Sequence, residues 1–159
     1  MGVEYNEASV AFCKERGLDV IHYDGFADDW ALSFLPKKRT FESMVISHVL
    51  EHLDEPVRVL GRLLAAARGL GVERVLVIVP GRAGYRIDAT HVTFVDQQML
   101  ALPELTVDTG FQLTHTVYYP GDWRSLGEVF AHHELQVTYS RSSSCAAGAA
   151  YSIPSFFSL

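Results

Sequence analysis

The side chains best suited to chemistry are concentrated in one short run, His48-Val49-Leu50-Glu51-His52, with His91 further along. Imidazole nitrogens take up protons near neutral pH and bind divalent metals, and a carboxylate can do both. On a helix, His48 and His52 stand one turn apart on one face and can share a metal, with Glu51 as a base. This is an H-x-x-E-H spacing, which suits metal-dependent hydrolysis. Its context argues against that use. The run follows the apolar Met44-Val45-Ile46 directly, and the helical turn it can form is short. His48, His52 and His91 are therefore also candidates as simple proton acceptors for an acidic hydroxyl. For His91 an equal alternative is a hydrogen bond that holds its own loop.

A second set of residues stands just past apolar runs. Glu4 follows Val3, Asp24-Gly25 follows Val20 to Tyr23, Ser47 with His48 follows Met44 to Ile46, and Pro80 follows Val75 to Val79. In open α/β sheets the carboxyl ends of the strands are where ligands bind. These positions deserve attention only if the surrounding elements form such a sheet.

The elements support one. Val3 to Tyr5 reads as a short strand. Asn6 is a good N-cap for a helix over Glu7 to Arg16, which Gly17 ends. Val20 to Tyr23 reads as a second strand, and Met44 to Ile46 as one buried on both faces. Asp54 is expected to cap the next helix, with Pro56 in its first turn. There Val57, Leu60, Leu63, Leu64 and Ala67 recur at three- and four-residue steps, and Gly69 and Gly71 close the element. Val75 to Val79, with its β-branched residues, is expected to be a central parallel strand. Gly81 to Thr93 reads as a loop, and Asp96 to Leu102 as a capped helix. Phe111 to Tyr119 reads as a strand, Trp123 to Phe130 as a short helix, and Glu134 to Tyr139 as the last strand. The alternation predicts one α/β domain over 1–159, with residues 142–159 as a packed or loose tail.

Bulk properties narrow the partners. The formal net charge is −6, so the clustered basic surface that nucleic-acid binding needs is missing. The local run Lys37-Lys38-Arg39 reads as a solvated loop. Two cysteines, Cys13 and Cys145, make no disulfide framework, and a reducing cytoplasmic setting fits. The uncharged stretch after Arg141 contains serines, Gly148 and Pro154 and is too polar and broken for a membrane span.

At the strand ends the chain resembles the class I S-adenosylmethionine (SAM) methyltransferases, in particular those acting on small molecules. Gly2-Val3-Glu4 resembles the family's second strand, which ends in an acid. Tyr23-Asp24-Gly25 resembles the turn after its third strand. Phe41 through Leu53 resembles its fourth strand and the helical segment after it. The helix to Gly69, the strand ending in Val79-Pro80, the segment with Asp88, Thr90 and His91, and Gly110-Phe111 complete the order. The resemblance implies a Rossmann-like sheet, mostly parallel with an antiparallel C-terminal strand. It implies SAM as cofactor, with Glu4 accepting from the ribose hydroxyls and Asp24 from the adenine amino group beside Gly25, although Asp24-Gly25 is equally a plain turn pair. Phe26 and Trp30 either stack near adenine or pack in the core. Ser47 and His48 line the methyl-donor side, His48 and His91 are the catalytic candidates, and a small molecule is the acceptor. Some members with E-x-x-E-H at this place bind a divalent metal. The parallel here is a metal held by His48, Glu51 and His52, with His91 as an optional ligand, although the main reading needs none.

The family's first strand and its glycine-rich loop have no counterpart, since Gly2 is the only glycine before the first helix. That strand belongs between the second and fourth. Without it two strand edges should be left unpaired, or those strands should pair directly. An upstream start, a truncated and inactive relative, or a homodimeric or strand-donating partner would each account for the gap.

Overall fold

The computed structural model describes residues 1–35, 40–142 and, as backbone, 156–158. The expectations for Lys37-Lys38-Arg39, for Cys145 and for most of the 142–159 tail therefore fall outside the described residues. Strand β1 spans Gly2–Glu4 and helix α1 spans Glu7–Glu15. Asn6 caps α1 as its composition predicts, its Oδ1 accepting from the amides of Ala8 at 2.9 Å and Ser9 at 3.1 Å. Gly17 leaves the helix at φ 73°, a left-handed conformation that glycine takes without a Cβ clash. Strand β2 covers Val20–His22 and β3 covers Ser43–Ser47.

Helix α2 spans Pro56–Gly69, and its cap lies one residue later than expected. Its N-cap is Glu55 and makes no side-chain cap bond, so Asp54 does not fill that role. Pro56 at the first position reduces the need, because it carries no N–H to satisfy. Strand β4 is Arg74–Pro80. The segment expected to be a loop contains helix α3, Arg82–Ile87. A Cβ on its Gly84 would stand 2.5 Å from the Ala131 carbonyl oxygen, so close packing against a distant segment accompanies this helix. The helix expected over Asp96 to Leu102 is shorter, α4 at Gln97–Leu100, followed by α5 at Glu104–Val107. Strand β5 is Phe111–Tyr119, a 3-10 turn covers Arg124–Glu128, and strand β6 is Glu134–Arg141.

A further strand, β7 at Phe156–Ser158, follows β6, which is therefore not the last. The sheet order is β2-β1-β7-β3-β4-β6-β5. Strands β2, β1, β7, β3 and β4 run parallel, and β6 runs antiparallel to both neighbours. The place between β1 and β3, expected to be an open edge pair or a direct pairing, is taken by β7. Phe156, Phe157 and Ser158 pair with Ser43, Met44 and Val45, and Ser158 also stands opposite Gly2. Backbone groups on both edges gain partners that direct pairing of β1 with β3 would have supplied differently.

The core lies under one face of this sheet. Met44, Ile46, Val75, Val77 and Val137 are completely buried against Leu60, Leu63, Leu64 and Ala67 of α2. Their neighbours Val45, Leu76 and Ile78 are only half-buried. Burial on both faces, expected from the apolar runs, is thus complete on one face only among the described residues. An uninterrupted apolar run is compatible with either outcome, because alternate side chains point to opposite faces. No described helix is long and apolar enough to cross a membrane.

Candidate functional site

A cavity of about 370 Å³ opens at the carboxyl ends of β1 and β3. Val3, Glu4 and Tyr5 form one side, Ser47, His48 and Val49 the other, and Tyr23, Gly25, Phe26 and Trp30 close one end. His52 and Leu53 also reach it. The predicted residues Glu4, Gly25, Ser47 and His48 are thereby brought together. Asp24 is not among the lining residues. Its Oδ1 accepts from the amides of Phe26 at 3.0 Å and Ala27 at 3.1 Å, a turn-forming arrangement. Glu4 accepts from the Asn6 amide through Oε1 at 2.7 Å, which pins its carboxylate at the start of α1.

The aromatic end is built around Trp30. A Cβ on Gly25 would fall 2.5 Å from the Trp30 ring, so glycine is what lets the indole lie against the turn. Trp30 is core, as one of its two expected fates, whereas Phe26 is 71% exposed and meets Trp30 edge-on. Tyr23 donates to Asp28 Oδ2 at 2.9 Å, and its phenol is held well above its usual pKa, chiefly by burial and then by that carboxylate.

His48 sits at φ 54° immediately after β3, a left-handed conformation that costs a non-glycine residue on the order of 1 kcal/mol. This backbone accompanies a ring that spans two carboxylates. Nδ1 lies 3.2 Å from Glu51 Oε1, and Nε2 lies 3.0 Å from Glu134 Oε1. Bonding to Glu51, and secondarily to Glu134, raises the imidazole pKa to about 9 against a smaller opposing effect of burial. His48 is consequently a cation at neutral pH with both N–H groups committed. It has no free nitrogen for a base, which corrects the expectation that His48 takes up a proton.

His91 Nδ1 donates to the Tyr85 carbonyl at 3.0 Å, so a neutral ring would carry its lone pair on Nε2. That nitrogen stands 3.9 Å from Glu51 Oε1 and 3.7 Å from Asp88 Oδ2. His52 Nδ1 faces two Thr90 oxygens, the carbonyl at 3.3 Å and Oγ1 at 3.1 Å. Thr90 Oγ1 donates to Asp88 Oδ1 at 2.6 Å, so His52 donates through Nδ1 and a neutral ring would carry its lone pair on Nε2. The hydrogen bonds from Thr90 hold the Asp88 carboxyl below the usual range.

Glu51 is fully buried and its Oε2 has no hydrogen-bond partner. One ligand atom each from Glu51, His52 and His91 lie within 4.8 Å of one another. The sequence expectation of a His48–Glu51–His52 set needs correction in one member. Only Leu50–His52 form a 3-10 turn, and His48 lies before it with its ring turned to Glu134. The helical face that would unite His48 with His52 does not form, and the hydrolase spacing loses its geometry.

Glu134 went unnoticed in the sequence. An available signal was the antiparallel pairing of the final predicted strand, which brings its first residue beside Pro80 at the ligand-binding edge. Tyr5 is a second missed lining residue.

No protein-family model matches the chain, and no curated protein matches it. Solved structures do. Magnesium protoporphyrin IX methyltransferase from Synechocystis PCC 6803 with bound SAM aligns at TM-score 0.58 and 12% identity, covering 89% of this chain and 58% of that one. The same enzyme with bound SAH aligns at TM-score 0.59 and 13% identity, over 89% and 63%. The 4+2 cyclase SpnF aligns at TM-score 0.53 and 17% identity, over 88% and 65%. The chain therefore spans about six tenths of the length of these structures. It has the fold of the class I SAM methyltransferases.

Proposed function

We propose that this chain binds SAM in the cavity between β1 and β3 and transfers its methyl group to a small-molecule acceptor. The observation that carries this reading is the cavity itself, at the ligand edge of a methyltransferase fold, with Glu4 on one lip and Ser47 on the other. Fold alone does not select the reaction, as the similarity to a cyclase illustrates. Glu4 would accept from the two ribose hydroxyls, Gly25 would admit the adenine beside Phe26, and Ser47 would face the methionine portion. Methyl transfer needs little acid–base help, because the sulfonium is already activated and in-line positioning is the main task. An acidic hydroxyl acceptor still gains from a base, and His91 and His52 offer lone pairs for it. His48 serves as a fixed cation linking Glu51 and Glu134.

A metal-assisted variant of the same chemistry is favoured by the orphan oxygen of buried Glu51. A buried carboxylate oxygen without a donor is costly unless a proton or cation completes it. One nitrogen each of His52 and His91 lies within 4.8 Å of a Glu51 carboxylate oxygen, and each ring is held through Nδ1, an arrangement common to metal-binding histidines. Glu51, His52 and His91 would hold a divalent ion, which when bound would lower the pKa of an acceptor hydroxyl.

Calorimetric titration with SAM and SAH tests the reading. Micromolar binding that Glu4→Ala weakens at least tenfold is the expected result. A folded chain that binds neither ligand would overturn this reading for the 159 residues tested. Zinc or cobalt binding that disappears in His91→Ala, read by cobalt absorption, separates the metal variant from the simple-base one.

A further inference from the structure

We propose that β7 is a spacer strand whose docking holds β1 and β3 two strand widths apart and thereby keeps the cavity open. The inference rests on the register. Ser158 stands opposite both Gly2 and Val45, so Glu4 and Ser47 are each two residues further toward the carboxyl edge. The two lips of the cavity are thus the direct extensions of the two strands that β7 separates. Neighbouring strands lie about 4.8 Å apart, so β1 and β3 are held roughly 10 Å apart across β7.

Without β7 that gap has no stable width. Water would have to satisfy the facing backbone groups of both strands, or β1 would have to move about 5 Å to pair with β3. Such a shift would bring Glu4 toward Ser47 and close the space between them. The unit formed by β2, β1 and α1 is free to respond as a body. Among the described residues, β1 pairs only with β2 and β7, and α1 buries only Val10. Its other anchors are apolar side chains in the core, Val3 of β1 itself with Tyr23, Trp30 and Leu32 after β2, and the pairing of Asp29 with Arg58 at 2.9 Å. These tether the unit without fixing the separation of two backbones.

The docking is also short. Three β3 residues and one β1 residue find partners on β7. A strand held by so few rungs opens locally at lower free energy than the ladder on the other side of β4. Occupation of the cavity and docking of β7 are then linked, since any ligand that touches both lips favours the docked state. Which ligand this is rests on the methyltransferase reading above, but the spacer role does not.

The test uses the full-length chain with Phe157→Pro. Proline removes a strand N–H and is excluded from the middle of a sheet. Hydrogen exchange followed by mass spectrometry should show amides of residues 2–4 and 43–47 exchanging at least about tenfold faster, with β5 and β6 unchanged. A synthetic peptide covering residues 150–159, added in trans, should restore protection, whereas a scrambled peptide should not. If β1 instead closes onto β3, residues 43–47 stay protected but spin labels on residues 5 and 49 move closer by about 5 Å; exchange and label distance both unchanged would overturn the proposal, as would protection lost evenly across the sheet and not restored by the peptide. Glu4→Ala separates this idea from the cofactor reading. It should weaken SAH binding at least tenfold while leaving the exchange of residues 43–47 alone, and a wild-type chain that ignores SAH would still give the predicted exchange contrast.

Discussion

The two halves of the sheet are built differently. On one side, β4 and β6 align over seven residue pairs and β5 and β6 over eight. On the other, β1 and β2 align over three, β3 and β7 over three, and β1 and β7 over one. The long ladders lie next to the face packed by α2 and form the scaffold. The short ladders carry Glu4, Gly25 and the mouth of the cavity. Binding sites are commonly placed where local stability is low, because a ligand can bias only what is able to move.

This contrast can be broken by a core substitution. Leu63 of α2 is completely buried beneath the scaffold, and Leu63→Ala should lower unfolding free energy by about 2–5 kcal/mol through lost transfer energy and a residual cavity. Val3→Ala, in the thin half, should cost less, about 0.5–2 kcal/mol, in the same urea titration. Equal costs would mean that the two halves are a single cooperative block. Gly25→Ala sharpens the contrast from the other side. Its new methyl must displace the Trp30 ring, for about 1–3 kcal/mol of strain, and the effect on the cavity should exceed the effect on the scaffold. Exchange protection confined to the β1 side, together with weaker SAH binding, is the expected readout.

The carboxylate bridge through His48 ties β3 to β6 across this boundary, and it should respond to pH. Its folded pKa is raised from 6.5 to about 9. The stabilisation it gives is therefore complete below pH 6.5 and disappears as pH rises through about 9. Because the ring is 44% exposed, solvent screening limits the effect to roughly 1 kcal/mol. Thermal melts between pH 6 and 10 should show this decline, and His48→Gln should flatten it. The smallest effect belongs to Arg62, whose exposed pairing with Asp29 joins α2 to the loop after β2. Arg62→Ala should change stability by less than about 1 kcal/mol, and by less still in high salt.

Much of the scaffold was legible because its signals are local. Asn6 before Glu7, the spacing of Leu60, Leu63 and Leu64, and the run Val75 to Val79 each act within a few residues. Glu4, Asp24 with Gly25, and Ser47 with His48 were singled out by position, as the residues just past apolar runs, and all but Asp24 line the cavity. Helix α3 was missed because Gly81 and Gly84 read as loop residues, whereas here Gly84 allows the Ala131 carbonyl to approach. The expected base at His48 failed for a similar reason. Its second partner, Glu134, is 86 residues away.

By itself the sequence determined an α/β sheet, the order of its strands through β6, the helices α1, α2 and α4, and several of the residues at the ligand edge. Short-range periodicity and capping are sufficient for these, since each is decided by neighbours along the chain. Tertiary structure alone decided that Phe156–Ser158 enter the sheet between β1 and β3, that His48 is a bridged cation, and that Glu51, His52 and His91 converge. Those outcomes depend on backbone edges and charges brought together from distant segments. No local pattern encodes the distance between them.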